Sequence, residues 1–557
     1  MYEFGLLLQT NRWQTNPLNQ GVTTTSMVLY YKSGMDLNMA GKMHKVIGRT
    51  LLILLSLGLG ACATVDFDYP REASSALKSH EGTYLDGVTD PYIDAHPGQS
   101  GFFIQADGID ALAGRLVITA SAQKTIDAQY YLISNDSIGH VFMKSLLDAA
   151  DRGVRVRLLL DDIQTKGYDA GLAALDSHPN FEVRVFNPFA GRGSRIGDAF
   201  TSFSRINRRM HNKSFTVDNE ITIIGGRNIA DEYFGASSNV NFGDLDVMAV
   251  GPVAQDVSNM FDKYWNHRKA ASVPAFANMP DDPAAELAKL RVRLNESVEA
   301  IKTTQYADAV REDYERYIEA TMELFTWADY KLAYDSPDKV YKKEQQSGEI
   351  KTITSTLATA IESANKNLII ISPYFVPRKK GIEYLLELRE QGIDITIITN
   401  SLAATNHDIV HTGYAPARKP LLKAGVKILE VKHIPGTDEL DRGGLGDSLA
   451  TLHTKAFLVD CADFFIGSFN WDPRSVAINT ELGVIIKSPK LAGSTCERIG
   501  QRKDEKAYDV VLNEKGKLRW IDRSGPEPIT LTHEPDTGFW RRFKVGFMGI
   551  FPIKGQL

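Results

Sequence analysis

The chain has 557 residues, is 43% apolar and 24% charged, and carries a formal net charge of −6. There is ample material for more than one core. The acidic balance excludes a chain built as a whole to coat a polyanion, which weighs against a nucleic-acid substrate. The three cysteines, Cys62, Cys461 and Cys496, have no metal-ligand spacing and do not form a disulfide framework.

Residues 1–42 carry no clear pattern and read as a non-native or disordered leader, with Met27, Met35, Met39 and Met43 as alternative starts. A start at Met43 puts His44, Lys45 and Arg49 ahead of an apolar run over 51–59, the layout of a secretory signal over 43–62. The run is shorter than the roughly 20 residues of a membrane span. Its end, Leu59-Gly60-Ala61-Cys62, resembles the lipobox of bacterial lipoproteins. The resemblance implies a lipidated Cys62 as the mature first residue. The remainder is then tethered in the cell envelope of a Gram-negative-type bacterium, facing the periplasm, and Ala63 after the cysteine points to the outer membrane. The other reading is an uncleaved anchor helix with an incidental cysteine.

Residues 63–98, with Pro70, Pro91 and Pro97, read as an irregular lead-in. In the first domain, 99–270, residues 109–122 form an amphipathic helix and 125–133 a strand. Residues 139–153 form a helix with Val141, Phe142, Leu146, Leu147 and Ala150 on one side. Strands follow at 154–160 and 181–186, and this alternation predicts an α/β sandwich around a mixed sheet. Asp161-Asp162 reads as a solvated strand end or helix cap rather than a catalytic pair. Residues 191–209 hold Arg192, Arg195, Arg205, Arg208 and Arg209. They read either as a loop that meets phosphate or lipid headgroups, or as a solvated loop.

The pattern His211-x-Lys213-x4-Asp218 comes next, then Gly225-Gly226-Arg227-Asn228. Residues 271–345 break the order as a mainly helical insertion that ends in an aromatic-rich strand near Trp327. The second domain, 346–500, repeats helix and strand and states the pattern again as His453-x-Lys455-x4-Asp460, then Gly467-Ser468-Phe469-Asn470. Residues 501–557 are a C-terminal extension. If its end is helical, Trp540, Phe543, Phe547 and Ile550 share a side, with Arg541, Arg542 and Lys544 elsewhere, a pattern that fits a lipid interface or a docked tail.

A repeat of this length within one chain outranks any single motif. The motif runs alternate like strands, so His and Lys, two residues apart, share a face. Histidine exchanges protons near neutral pH and can attack as a nucleophile, while Lys and Asn donate to phosphate oxygens. The doubled pattern resembles the signature of the phospholipase D superfamily, and within it the bacterial cardiolipin synthases of that type. One departure is Gly226, where the family often has Ser, as at Ser468. The resemblance implies an α/β chain of two pseudo-two-fold related α/β/α sandwich domains with mixed sheets and the active site at their interface.

It further implies His211, Lys213, Asp218, His453, Lys455 and Asp460 as catalytic, and Asn228, Asn470 and Ser468 as phosphate-binding. Asp244 and Glu481 would be the acids that orient the histidine of their own half; Asp244 is chosen over Asp246. The implied reaction is phosphatidyl transfer through a phosphohistidine, with no metal or cofactor. His211 would be the nucleophile and His453 the acid/base, roles that sequence alone does not separate. The partners implied are phospholipid substrates and a membrane surface, with no nucleic acid. Phospholipase D hydrolysis, a secreted nuclease of the same superfamily and a scaffold with a decayed site are the alternatives.

Overall fold

The structure is a computed structural model that describes residues 64–77, 82–192, 202–238, 240–319, 322–341, 350–433 and 451–549. The signal-like segment with Cys62, the leader before it, Arg195 and Ile550 lie outside the described residues. No helix among the described residues is long and apolar enough to cross a membrane.

The first half supplies β1 (Ser100–Gln105), β2 (Thr125–Tyr130), β3 (Arg155–Asp161), β4 (Phe181–Phe186), β5 (Ser214–Val217), β6 (Ile221–Gly225), β7 (Phe242–Gly243), β8 (Asp246–Val250) and β9 (Ala270–Ser272). The second supplies β10 (Thr326–Tyr334), β11 (Asn367–Ile371), β12 (Asp394–Asn400), β13 (Lys427–Val431), β14 (Thr451–Leu452), β15 (Ala456–Val459), β16 (Asp463–Gly467), β17 (Leu482–Lys487), β18 (Ala507–Leu512), β19 (Leu518–Asp522) and β20 (Ile529–Leu531). In the first half hydrogen bonding runs β9-β4-β3-β2-β5-β6-β8-β1. In the second it runs β10-β17-β16-β15-β11-β12-β13-β18-β19-β20. Apart from β19 and β20, which extend the second, the two series are the same arrangement stated twice. They join through the antiparallel pair β1–β10, so eighteen strands make one mixed sheet.

Helices cover both faces, which is why the central strands are apolar runs rather than alternating ones. Two outer cores serve one half each, around Phe142, Leu146 and Phe215 in the first and Leu357, Leu385 and Phe457 in the second. A third joins the halves: Phe102, Val247, Phe261 and Trp265 pack in one cluster with Ile371, Ile466 and Val484. The helices Pro252–Trp265 and Pro489–Lys506 hold equivalent places after β8 and β17.

Several expectations are corrected. The lead-in is not wholly irregular: Tyr84–Asp94 is a helix capped by Thr83, with Pro91 inside it. The insertion does not run to 345. After the helices Pro283–Lys302 and Gln305–Glu319, β10 is the first strand of the second half's series and the counterpart of β1. A boundary at 500 cuts the helix Pro489–Lys506, and β18 pairs with β13 as β9 pairs with β4. β10 and β18 are set by pairing with distant strands, which local pattern does not report.

Cys461, in the β15–β16 turn, is disulfide-bonded to Cys496, in the helix Pro489–Lys506, 35 residues away. Two lone cysteines so far apart carry no framework signal, and the expectation of no disulfide is corrected. A loop of this length predicts that reduction lowers unfolding free energy by roughly 2–4 kcal/mol. Denaturant unfolding with and without reductant measures it, and superimposable curves would remove that contribution.

Candidate active site

Each motif begins in the residues that lead into β5 or β15. The two hairpins β5–β6 and β15–β16 turn through three-residue loops that open with left-handed pairs, Asp218-Asn219 (φ 50° and 59°) and Asp460-Cys461 (φ 53° and 49°), the backbone a type I′ turn needs at both central residues. The Asp218 carboxylate accepts the amides of Gln123, Lys124 and Thr125. Asp460 accepts those of Asn365, Lys366 and Asn367. The motif aspartates are therefore placed at the far ends of their strands, tying the hairpin turns to the starts of β2 and β11. The structure does not bring them to the histidines, which corrects their place among the catalytic side chains.

The histidines sit at the opposite strand ends, between the two halves. His211 Nδ1 lies 2.8 Å from Glu481 Oε2, and His453 Nδ1 lies 2.5 Å from Asp244 Oδ2. Each acid thus serves the histidine of the other half, not its own, and this corrects the sequence expectation. The cause is backbone pairing across the two-fold. His211 N donates to Thr480 O and Thr480 N to Arg209 O. In the same way β7 runs beside β14, and His453 N donates to Gly243 O. A residue that follows either lead-in faces the opposite motif.

The choice of Asp244 over Asp246 agrees with this geometry. Asp246 instead forms a buried ion pair with Arg115 at 2.7 Å. Gly226 is explained as well: a Cβ there would lie 2.2 Å from Asp244 Oδ1. Ser468, its counterpart, donates to Glu481 Oε2 and accepts from Leu482 N. Its hydroxyl is committed to the acid, which corrects its assignment to phosphate. Asn228 Nδ2 donates to the Tyr233 hydroxyl at 2.9 Å. The buried Oδ1 atoms of Asn228 and Asn470 have no hydrogen-bond partner among the described residues.

Lys213 and Lys455 are buried and fold back on their own motifs, each donating to the carbonyl of the histidine two residues before it. Lys455 also lies 3.5 Å from Asp244. Burial brings the Lys213 ammonium down to about 7, and it lowers Lys455 too. Burial likewise pushes both imidazoles below their ordinary value, His453 down to about 3, against the carboxylates that favour their charge. The charge of Lys455 reaches His211 and that of Lys213 reaches His453, so the two motifs share one electrostatic site. Against the penalty of burial, Lys455 and then His453 hold Asp244 down at about 2, and His211 foremost keeps Glu481 below the usual carboxylate range. The site pairs ionised acids with neutral imidazoles. A proton on Nδ1 satisfies each acid and makes Nε2 the acceptor nitrogen; at His453 the Lys455 ammonium lies 3.2 Å from that Nε2.

Several contributors went unread in the sequence. Tyr131 presents its edge to His211 at 4.9 Å, and Tyr374 does so to His453 at 6.3 Å. The two tyrosines follow β2 and β11 one residue out of register with each other, so the repeat alone does not nominate them. Phe242 and Tyr233 complete the walls of His453, each 5.1 Å from its ring. Ser475 Oγ donates to Glu481 Oε1, and Asp335 accepts the Glu481 amide and the Lys339 ammonium; neither carries a local signal.

Asp161 and Asp162 are not solvated. Asp161 accepts from Met210 N and Arg209, and Asp162 from Phe189 N and Arg192, so the pair fastens the segment leading into the first motif. Arg205 bonds to Asn187 and Pro188, and Arg208 to Lys339 O. These described arginines brace the fold around the site, while residues 193–201 of that loop lie outside the described residues.

A family model described as "Cardiolipin synthase, PLD-like domain" matches the chain twice, at residues 117–265 and 357–502. Cardiolipin synthase C of Escherichia coli (strain K12) is 41% identical over 471 residues, 84% of this chain and 98% of that one. An uncharacterized protein of Helicobacter pylori (strain ATCC 700392 / 26695) is 32% identical over 90% of this chain and 99% of its own. A cardiolipin synthase of Staphylococcus aureus (strain Mu50 / ATCC 700699) is 25% identical over 70% of this chain and 64% of its own. With two matched domains and a relative aligned over nearly its whole length, the chain belongs to the cardiolipin synthase family of phospholipase D-like enzymes and is a phosphatidyltransferase.

Proposed function

We propose that the chain makes cardiolipin by moving a phosphatidyl group onto the glycerol headgroup of phosphatidylglycerol, with phosphatidylglycerol or phosphatidylethanolamine as donor. The observation that carries this reading is the pair of imidazoles at one interface. Each is held at Nδ1 by a buried carboxylate, and a lysine from each motif lies within electrostatic reach. In the first step His211 Nε2 attacks phosphorus, the bond to the donor headgroup oxygen breaks, and His453 protonates that oxygen. In the second, His453 takes the proton of the acceptor hydroxyl as its oxygen attacks phosphorus, and the phosphorus–nitrogen bond breaks. Lys213, Lys455, Asn228 and Asn470 stabilise the oxyanions of both steps. The arriving phosphodiester offsets the lysine charges that depress His453, so its proton affinity rises when a proton is needed.

We place this chemistry outside the cytoplasm, tethered through a lipidated Cys62 and leaning to the outer membrane. The signal-like pattern over 43–62 supports that placement, as does the Cys461–Cys496 bond, which suits an oxidising compartment. The test is product analysis by mass spectrometry after incubation with phosphatidylglycerol vesicles, with and without phosphatidylethanolamine. Cardiolipin is the expected product, and a yield that depends on the second lipid identifies the donor. Phosphatidic acid alone would overturn transfer in favour of hydrolysis.

A further inference from the structure

The helix Phe539–Met548 is docked inside out. A surface helix ordinarily turns its apolar side to the core and its charges to water. Here Phe539, Trp540, Phe543 and Phe547 are 64%, 76%, 57% and 53% exposed. Their rings form a chain, with centroids 5.4 Å apart for Phe539–Trp540, 6.2 Å for Trp540–Phe543 and 6.5 Å for Phe543–Phe547. The charged residues hold the helix to the protein. Arg541 donates to Asp408 and to the carbonyls of Ala403 and Thr405, and Lys544 donates to Asp408. Val545 is the buried apolar residue of the helix.

We infer that this helix is an interfacial anchor whose aromatic face enters the surface of a phospholipid bilayer and brings that surface to the His453 side of the active site. Trp and Phe together on one exposed face match the chemistry of a lipid interface. The position matches the task. The 403–408 segment that receives Arg541 also reaches the site: the Tyr374 hydroxyl donates to Asn406 Oδ1 at 3.1 Å, and the Tyr374 ring meets His407 and His453. Contact with lipid and contact with the candidate acid/base therefore share one short segment. The inference rests on a phospholipid substrate, as proposed above.

The test uses the full chain with phosphatidylglycerol vesicles whose acyl chains are brominated, which quench tryptophan at the interface. The expected result is quenching in the wild type that is absent in Trp540→Phe, while Trp540→Phe keeps normal turnover. In the Phe539→Ser/Trp540→Ser/Phe543→Ser/Phe547→Ser chain, turnover on vesicles should fall by about tenfold or more while turnover of a short-chain, monomeric phospholipid is unchanged. Trp540 that is not quenched, or a loss shared equally by both substrate forms, would overturn the inference. So would self-association through this face in place of lipid contact. Quenching reports contact without turnover, so its outcome stands apart from any failure of the proposed reaction.

Discussion

Alanine in place of His211 or His453 should lower phosphatidyl transfer by at least about 10⁴-fold, because each carries one half of a two-step reaction. The two losses should differ in kind. With a phosphodiester donor whose leaving group needs no proton, His453→Ala should still form the covalent intermediate. The intermediate should then persist, because nothing activates the acceptor hydroxyl. His211→Ala should form none. Trapping of labelled phosphate on the protein, followed by peptide mapping, distinguishes the two. A label on His211→Ala but not on His453→Ala would exchange the roles, and near-normal turnover in either chain would end the two-histidine reading.

That experiment could be designed from the sequence, because the doubled motif is local: a strand period, a hairpin turn and a fixed spacing. The α/β architecture was legible for the same reason, since helices such as Ser137–Asp151 and strands such as β3 carry their own periodicity. What could not be read depends on partners far along the chain. Asp161 looks like a solvated strand end until Met210 and Arg209 are folded over it. Cys461 and Cys496 look unrelated until a turn and a helix meet. The motif aspartates look catalytic because they share the motif, yet their carboxylates serve backbone amides at a turn. Spacing records that a residue type is required but not which of its neighbours requires it.

The exchange of acids between halves has the next largest consequence. Asp244→Asn and Glu481→Gln should each lower kcat by roughly 10³–10⁴-fold, the scale seen when an amide replaces the carboxylate behind a catalytic histidine. The amide can turn its NH₂ toward Nδ1 and favour the tautomer with the proton on Nε2, which removes the reacting lone pair. The hydrogen bonds His453–Asp244 and His211–Glu481 then dictate which step each variant loses. Asp244→Asn, in the first half, should behave as His453→Ala: the intermediate forms from the activated donor and is not resolved. Glu481→Gln, in the second half, should behave as His211→Ala and yield no intermediate. If each acid served the histidine of its own half, these two phenotypes would be interchanged, so one trapping experiment on the pair decides the wiring. Agreement would also mean that neither half can be competent alone, because each histidine takes its tautomer from the other half of the chain.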